Sequence, residues 1–246
     1  MPSVVAKRSE VPVQEISAAF GLALGLIVSG DPELAQIVRL SLEISLSAVT
    51  IAAAVGMPLG AALALFRFPG RGALVVLLNA CMGLPPVVVG LFVYLMLSRA
   101  GPLGELGLLF TPTAMVIAQA ILVTPIIAAL TSQTVADLYA EYREQLQSLG
   151  VGALRAIPTL LWDGRFSLLT AVLAGFGRAA AEVGAVIIVG GNINHVTRVM
   201  TTTIALETSK GYLGLALGLG FVLLLIVVAV NASLMLVQTA ARQAEG

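Results

Sequence analysis

The residues best placed to do chemistry in this sequence are an arginine and a glutamate inside an apolar stretch. Arg178 and Glu182 are four positions apart, so a helix would place both side chains on one face. A charge inside a membrane is costly and normally faces a bundle interior or a water-filled cavity. Two interpretations stay open: the pair is structural or controls a gate, or Arg178 contacts an anion directly.

A second group of functional candidates lies in the charged segment 137–165. Apolar residues recur at helical spacing in its first half: Leu138, Tyr142, Leu146 and Leu149. Gly150 then suits the position after a helix end, where a positive φ is cheap without a Cβ. We expect a second short helix from about Gly152, so that two helices meet at a glycine turn. Such an elbow is either gripped by a partner protein or is an ordinary amphipathic loop on the membrane surface.

Several kinds of active site are missing from the sequence. No G-x-x-x-x-G-K-S/T phosphate loop is present, and the chain has one cysteine, Cys81, and one histidine, His195. Neither paired carboxylates nor a Ser/His arrangement lies in the apolar stretches, although a hydrolase would need such a group. We therefore expect no enzyme activity, no cofactor and no metal, with any nucleotide hydrolysis on another chain.

Composition indicates that lipid surrounds most of the chain. Of 246 residues, 59% are hydrophobic and 11% are charged, against about 25% charged in soluble domains. Lys plus Arg equals Asp plus Glu at 13 each, which gives no argument for a nucleic-acid partner. A helix needs about 20 apolar residues to cross a bilayer. We predict a single all-α membrane domain over 1–246, with about six spans: 13–29, 37–66, 73–98, 111–135, 166–190 and 212–238.

The first span is the weakest, because a cleaved signal peptide is its alternative. Positive charges predict the orientation of the others. Eight lie on the side of the two termini, namely Lys7, Arg8, Arg67, Arg71, Arg143, Arg155, Arg165 and Arg242, and three on the opposite side, namely Arg99, Arg198 and Lys210. The charged segment 137–165 is therefore expected in the cytoplasm.

Prolines and small residues suggest a bundle that moves. Pro85 and Pro86 lie inside the third predicted span, where proline removes a backbone hydrogen bond and kinks the helix. Thr124, beside Pro125 in the fourth span, is a further candidate for the pathway or gate. Pairs such as Gly56 and Gly60 predict close helix contacts.

The elbow also resembles a known family. Glu144 and Gly150 are similar to the E-A-A-x-x-x-G loop of ATP-binding-cassette (ABC) importer permeases, although Gln145 and Leu146 replace the alanines. Further strings resemble the oxyanion permeases for molybdate, sulfate and tungstate: Gly-Leu-Pro-Pro at 83–86, Thr-Pro-Thr-Ala at 111–114 and Glu-Val-Gly-Ala at 182–185. Three strings are most similar to the tungstate branch: Gly-Leu-Pro-Pro at 83–86, Thr-Pro-Thr-Ala-Met-Val-Ile-Ala-Gln at 111–119 and Thr-Ile-Ala-Leu-Glu-Thr-Ser at 203–209.

This resemblance implies a type I permease bundle, like the molybdate and methionine permeases, in the cytoplasmic membrane. It implies a homodimer bound to two ABC ATPase subunits and to an external substrate-binding protein. It also implies that one group of residues couples the permease to the ATPase: Glu141, Glu144, Leu149, Gly150, Val151 and Gly152. Tungstate is the expected substrate, with molybdate or sulfate as alternatives, and a self-contained secondary transporter or channel is the rival class.

Overall fold

The computed structural model describes residues 32–245 together with Gly21 and Gly25. Within residues 32–245 the secondary structure is helical and contains no strand. The helices are α1 (Pro32–Leu65), α2 (Arg71–Met82), α3 (Pro86–Leu97), α4 (Pro112–Ser148), α5 (Ala153–Asp163), α6 (Arg165–Ala180), α7 (Gly184–Gly190), α8 (Met200–Ser209) and α9 (Leu213–Glu245), with a 3₁₀ turn at Gly104–Leu106.

Three helices of the described part, α1, α4 and α9, are individually long and apolar enough to cross a membrane. The pairs α2–α3 and α6–α7 each qualify as one further span, which makes up to five. The predicted span 13–29 lies outside the described residues. The fold is thus all-α and membrane-spanning, as the composition predicts.

Two predicted spans differ from the structure, because they are broken helices and not single ones. The helices α2 and α3 meet at an angle of 101°, and α6 and α7 at 58°. We expected a kink at Pro85 and Pro86, but the chain leaves the helix altogether and restarts. Gly83 ends α2, and Pro86 takes the first position of α3, where its missing N–H is harmless.

The helices α1 and α4 form the centre of the bundle. A Cβ placed on Gly60 would lie 2.9 Å from Thr131 Cβ, and one on Gly56 would lie 3.1 Å from the Thr124 carbonyl oxygen. The two backbones can approach this closely only because both positions are glycine. The predicted contact at Gly56 and Gly60 is confirmed.

Small residues also allow the broken helices to pack closely on this centre and on each other. Gly175 of α6 packs on Val123 and Ile127 of α4, and Gly90 of α3 packs on Ala185 of α7. Large apolar side chains point outward instead, among them Val76, Leu77, Leu91, Phe92, Leu224 and Leu225. Apolar patches of this kind mark contact with lipid or another protein, as a membrane bundle requires.

Candidate functional site

Glu182 lies in the break between α6 and α7 and is the most buried carboxylate of the candidate site, with 4% of its side chain exposed. Its Oε2 is 3.8 Å from Arg178 Nη2 in the last turn of α6. Its Oε1 accepts a hydrogen bond from the backbone N–H of Ala185, at 3.1 Å. The carboxylate therefore faces the amino end of α7 on one side and a guanidinium on the other, and both stabilise its negative charge.

Side chains from distant helices donate hydrogen bonds to backbone carbonyls at the break. Thr201 Oγ1 of α8 donates to the Glu182 carbonyl oxygen at 2.9 Å. Gln119 Nε2 of α4 donates to the Ala179 carbonyl oxygen at 3.1 Å. Non-helical backbone at membrane depth is tolerated only with such partners or with water. The break is thus stabilised by hydrogen bonds from other helices of the bundle.

The second helix break lies directly beside the first. A Cβ on Gly184, which begins α7, would lie 2.9 Å from the Cγ2 of Val87, the residue after Pro86. Four of the five predicted pathway residues are consequently brought into one region: Arg178 and Glu182 in one broken helix, Pro85 and Pro86 in the other. This juxtaposition of two helix interruptions could not be inferred from spacing along the chain.

The fifth candidate, Thr124, makes a different kind of contact. Its hydroxyl donates to the Ala120 carbonyl oxygen one turn earlier, at 2.7 Å, and its own carbonyl oxygen faces Gly56. The hydroxyl is therefore occupied within α4. Among the described residues, no hydrogen bond joins Thr124 to either member of the Arg178–Glu182 pair.

Gln119 is a functional candidate that the sequence analysis missed. Its side chain is 4% exposed, and its Oε1 has no hydrogen-bond partner among the described residues. It borders a cavity of about 20 Å³ that is also lined by Ser45, Thr201 and Glu182. This space is enough for about one water molecule. An amide inside an apolar span was the signal that could have identified it.

The predicted cytoplasmic elbow has a well-defined geometry. Gly150 has a φ of +67°, the conformation that the sequence predicts for it. Its N–H donates to the Gln147 carbonyl oxygen at 3.1 Å, and the Val151 N–H donates to that of Leu146 at 2.9 Å. These two bonds make a Schellman motif, which ends a helix at a left-handed residue. One expectation differs: the first helix of the elbow is not separate but is the end of the continuous helix α4.

The elbow is anchored on one side and exposed on the other. Ala156 and Leu160 of α5 are buried against Ala61 and Leu65 of α1 and Val135 of α4. The outer side of the turn exposes most of the predicted coupling residues, namely Glu141, Glu144, Leu149, Gly150 and Gly152, while Val151 is half-buried. Leu149 is 76% and Leu154 69% exposed. The buried side of α5 thus joins the elbow to α1 and α4.

No group of three or more His, Cys, Asp or Glu side chains that could hold a metal ion occurs in the described part of the chain. The candidate functional features are thus two adjacent helix breaks with the Arg178–Glu182 ion pair, and a projecting elbow at the opposite end of α4.

The comparisons with known proteins identify the family. No family model matches the chain. The chain is 43% identical over 220 residues to the tungstate uptake system permease protein of Peptoclostridium acidaminophilum, covering 89% of this chain and 96% of that protein. It is 39% identical to a probable anion ABC transporter permease protein of Haloferax volcanii, covering 81% and 88%. It is 36% identical to the tungstate uptake system permease protein of Campylobacter jejuni, covering 86% and 89%.

These similarities extend over most of both chains, as the shared strings in the sequence suggest. The chain belongs to the family of membrane-spanning permease proteins of oxyanion ABC transporters.

Proposed function

We propose that this protein is the permease of an ATP-driven importer that carries tungstate across the cytoplasmic membrane. The observation that carries the proposal is 43% identity over nearly the whole of a permease named for tungstate uptake. The multi-pass helical fold and the absence of a phosphate-loop motif from the sequence support it. Molybdate and sulfate are the alternative substrates, because they are also tetrahedral dianions.

In this proposal the elbow receives the force of ATP hydrolysis from a separate ABC ATPase. Its exposed surface carries both an apolar side chain, Leu149, and two carboxylates, Glu141 and Glu144. It therefore offers both apolar area and charge to a partner. The half-buried Val151 and the flanking Gly150 and Gly152 hold the turn. Two permease copies would present two elbows to two ATPase subunits, and a substrate-binding protein would deliver the anion from outside.

The paired helix breaks are the proposed gate. The Glu182 carboxylate already occupies the amino end of α7, and Arg178 is 3.8 Å from it. A dianion would meet a nearly neutral pair at this point and would gain little Coulomb energy. This geometry favours a gating or structural role for the pair over direct anion contact. Movement of Pro85 and Pro86 against the neighbouring break would open or close the route.

The test is transport by the complete system in proteoliposomes. The permease is reconstituted with its ATPase and binding protein, and uptake of radiolabelled tungstate, molybdate and sulfate is measured with and without ATP. We expect ATP-dependent uptake with tungstate preferred. A preference for molybdate or sulfate would change the substrate only. Accumulation by the permease alone, driven by an ion gradient, would show a secondary transporter and refute the proposal.

A further inference from the structure

A groove between α2 and α4 in the cytoplasmic half of the protein has no part in the coupling and gating roles proposed above. Its volume is about 440 Å³, within the range of ligand sites. One face of α2 and one face of α4 form its walls, since the lining residues recur at helical spacing: Arg71, Val75, Leu78, Asn79 and Met82, and Ala129, Leu130, Ser132, Gln133 and Ala136. The groove therefore lies between two helices of the transmembrane domain.

The groove carries polar side chains on an otherwise apolar surface. Asn79 and Gln133 are exposed, and no hydrogen bond to another described residue engages either amide. Val76 and Leu77 of α2 are 68% and 58% exposed, and Leu77, two positions from Asn79, lies on the opposite face of the helix. Leucine and valine suit contact with lipid, whereas an amide facing hydrocarbon would lose its hydrogen bonds to water. The two surfaces of α2 thus fit different surroundings, and the groove fits a hydrated one.

The charge of the groove suits an anion. Arg71 is its one charged lining residue, and none of the described residues that line it is acidic. The Nε of Arg71 donates to the Leu63 carbonyl oxygen at 2.6 Å, which fixes the guanidinium at the end of α1. The amides of Asn79 and Gln133 and the hydroxyl of Ser132 add hydrogen-bond donors without adding charge.

We propose that this groove is the cytoplasmic half of the anion pathway and that Asn79 and Gln133 donate hydrogen bonds to the oxyanion on its way out. This inference rests on the proposed transport function. An oxyanion carries only acceptor oxygens, so amide N–H groups match it chemically. A conduction pathway also needs contacts weak enough for release. Neutral amides meet this requirement better than a cluster of arginines, which would retain a dianion.

Cysteine accessibility tests the location of the pathway. Cys81 is the sole cysteine of the chain, so Cys81→Ser provides a clean background for Asn79→Cys and for the matched control Leu77→Cys on the opposite face of the same helix. The assembled transporter, in proteoliposomes without ATP, is treated from the ATPase side with an anionic methanethiosulfonate. We expect Asn79→Cys to react at least tenfold faster than Leu77→Cys, and tungstate to slow the reaction of Asn79→Cys.

Other outcomes would overturn this location. Equal rates for the two variants, or reaction of Asn79→Cys only with a lipid-soluble maleimide, would place this face against lipid. A disulfide between two copies at position 79, with no labelling by the anionic reagent, would show that a second protomer covers the groove.

Substitution of Gln133 tests the role of the amide. Gln133→Glu keeps the shape but adds a negative charge, and we expect the initial rate of tungstate uptake to fall at least tenfold. Gln133→Leu removes the donor without adding charge and should slow uptake only several-fold. Binding to the ATPase and the melting temperature, measured for both variants, exclude a folding defect. Normal uptake by Gln133→Glu refutes the proposal that the groove is part of the anion pathway but leaves the proposed function standing. Failure of the unsubstituted protein to transport tungstate refutes the proposed function.

Discussion

A single serine placed at Gly150 or at Gly152 tests whether the left-handed turn of the elbow is needed for coupling. The two glycines are two residues apart, both are exposed, and neither has an atom within 4 Å of an added Cβ. They differ in backbone conformation, because Gly150 has a φ of +67° and Gly152 a φ of −71°. An added side chain therefore meets no neighbouring atom at either position, and the two substitutions differ only in the backbone conformation that the new residue must adopt.

The magnitude follows from this difference. A non-glycine residue in the left-handed region costs about 1–2 kcal/mol, so Gly150→Ser strains the turn by that amount. Gly152 precedes α5 in an extended conformation with ψ of 159°, where serine is a good N-cap, and Gly152→Ser should be neutral or slightly stabilising. A free elbow can relieve strain by opening the two hydrogen bonds of the Schellman motif, but a docked elbow cannot. Since 1.4 kcal/mol is a factor of ten in affinity, the affinity of the ATPase for the elbow should fall by up to about 30-fold.

The assay is titration of the ATPase subunit onto the permease in nanodiscs, followed by ATP-dependent uptake in proteoliposomes. Gly150→Ser should lower ATPase affinity and uptake, and Gly150→Asn should recover part of the loss, since asparagine tolerates the left-handed region. Gly152→Ser should match the unsubstituted protein in both measurements. Equal behaviour of the two serine variants would refute the argument that the turn conformation carries coupling.

Three further predictions concern the bundle, the ion pair and the elbow. Gly60→Ala would place a Cβ 2.9 Å from Thr131 Cβ and force α1 and α4 apart. It should therefore destabilise the protein by about 1–2 kcal/mol in detergent melts, whereas Gly220→Ala, with nothing within 4 Å, should not. Arg178→Met leaves the buried Glu182 carboxylate without its cation and should lower the free energy of unfolding by about 2 kcal/mol. The loss is smaller than for a fully buried pair because Arg178 is 37% exposed. Adding Glu182→Gln should restore most of the lost stability, and a double-mutant cycle without coupling would contradict this. Glu144→Lys reverses an exposed charge of the elbow. It should reduce the amount of ATPase captured in a pull-down while the amount of inserted permease stays constant. Unchanged capture would show that Glu144 is not part of the interface with the ATPase.

Features that depend on neighbouring residues were predictable from the sequence. Threonine followed by proline is typical of a helix start, and Thr111 Oγ1 accepts a hydrogen bond from the Ala114 N–H at 3.4 Å. Gly150 was predicted to follow a helix end, and the lack of a Cβ permits its left-handed backbone conformation. Membrane location followed from the scarcity of charge. Each of these depends on composition or on a few consecutive residues.

The break at Glu182 was not predictable, because nothing in the residues before Gly184 demands it. The residues that donate side-chain hydrogen bonds to this break, Gln119 and Thr201, lie 60 and 19 residues from their acceptors. This break also lies beside Pro86, and Asn79 and Gln133 line one groove. Both arrangements depend on how separate helices pack. The sequence by itself determined that the chain is a lipid-embedded helical bundle with a glycine elbow, since hydropathy and local stereochemistry suffice for that. Only the tertiary structure decided where helices break and which polar groups meet, because inside a membrane the partners of a freed backbone carbonyl come from other helices.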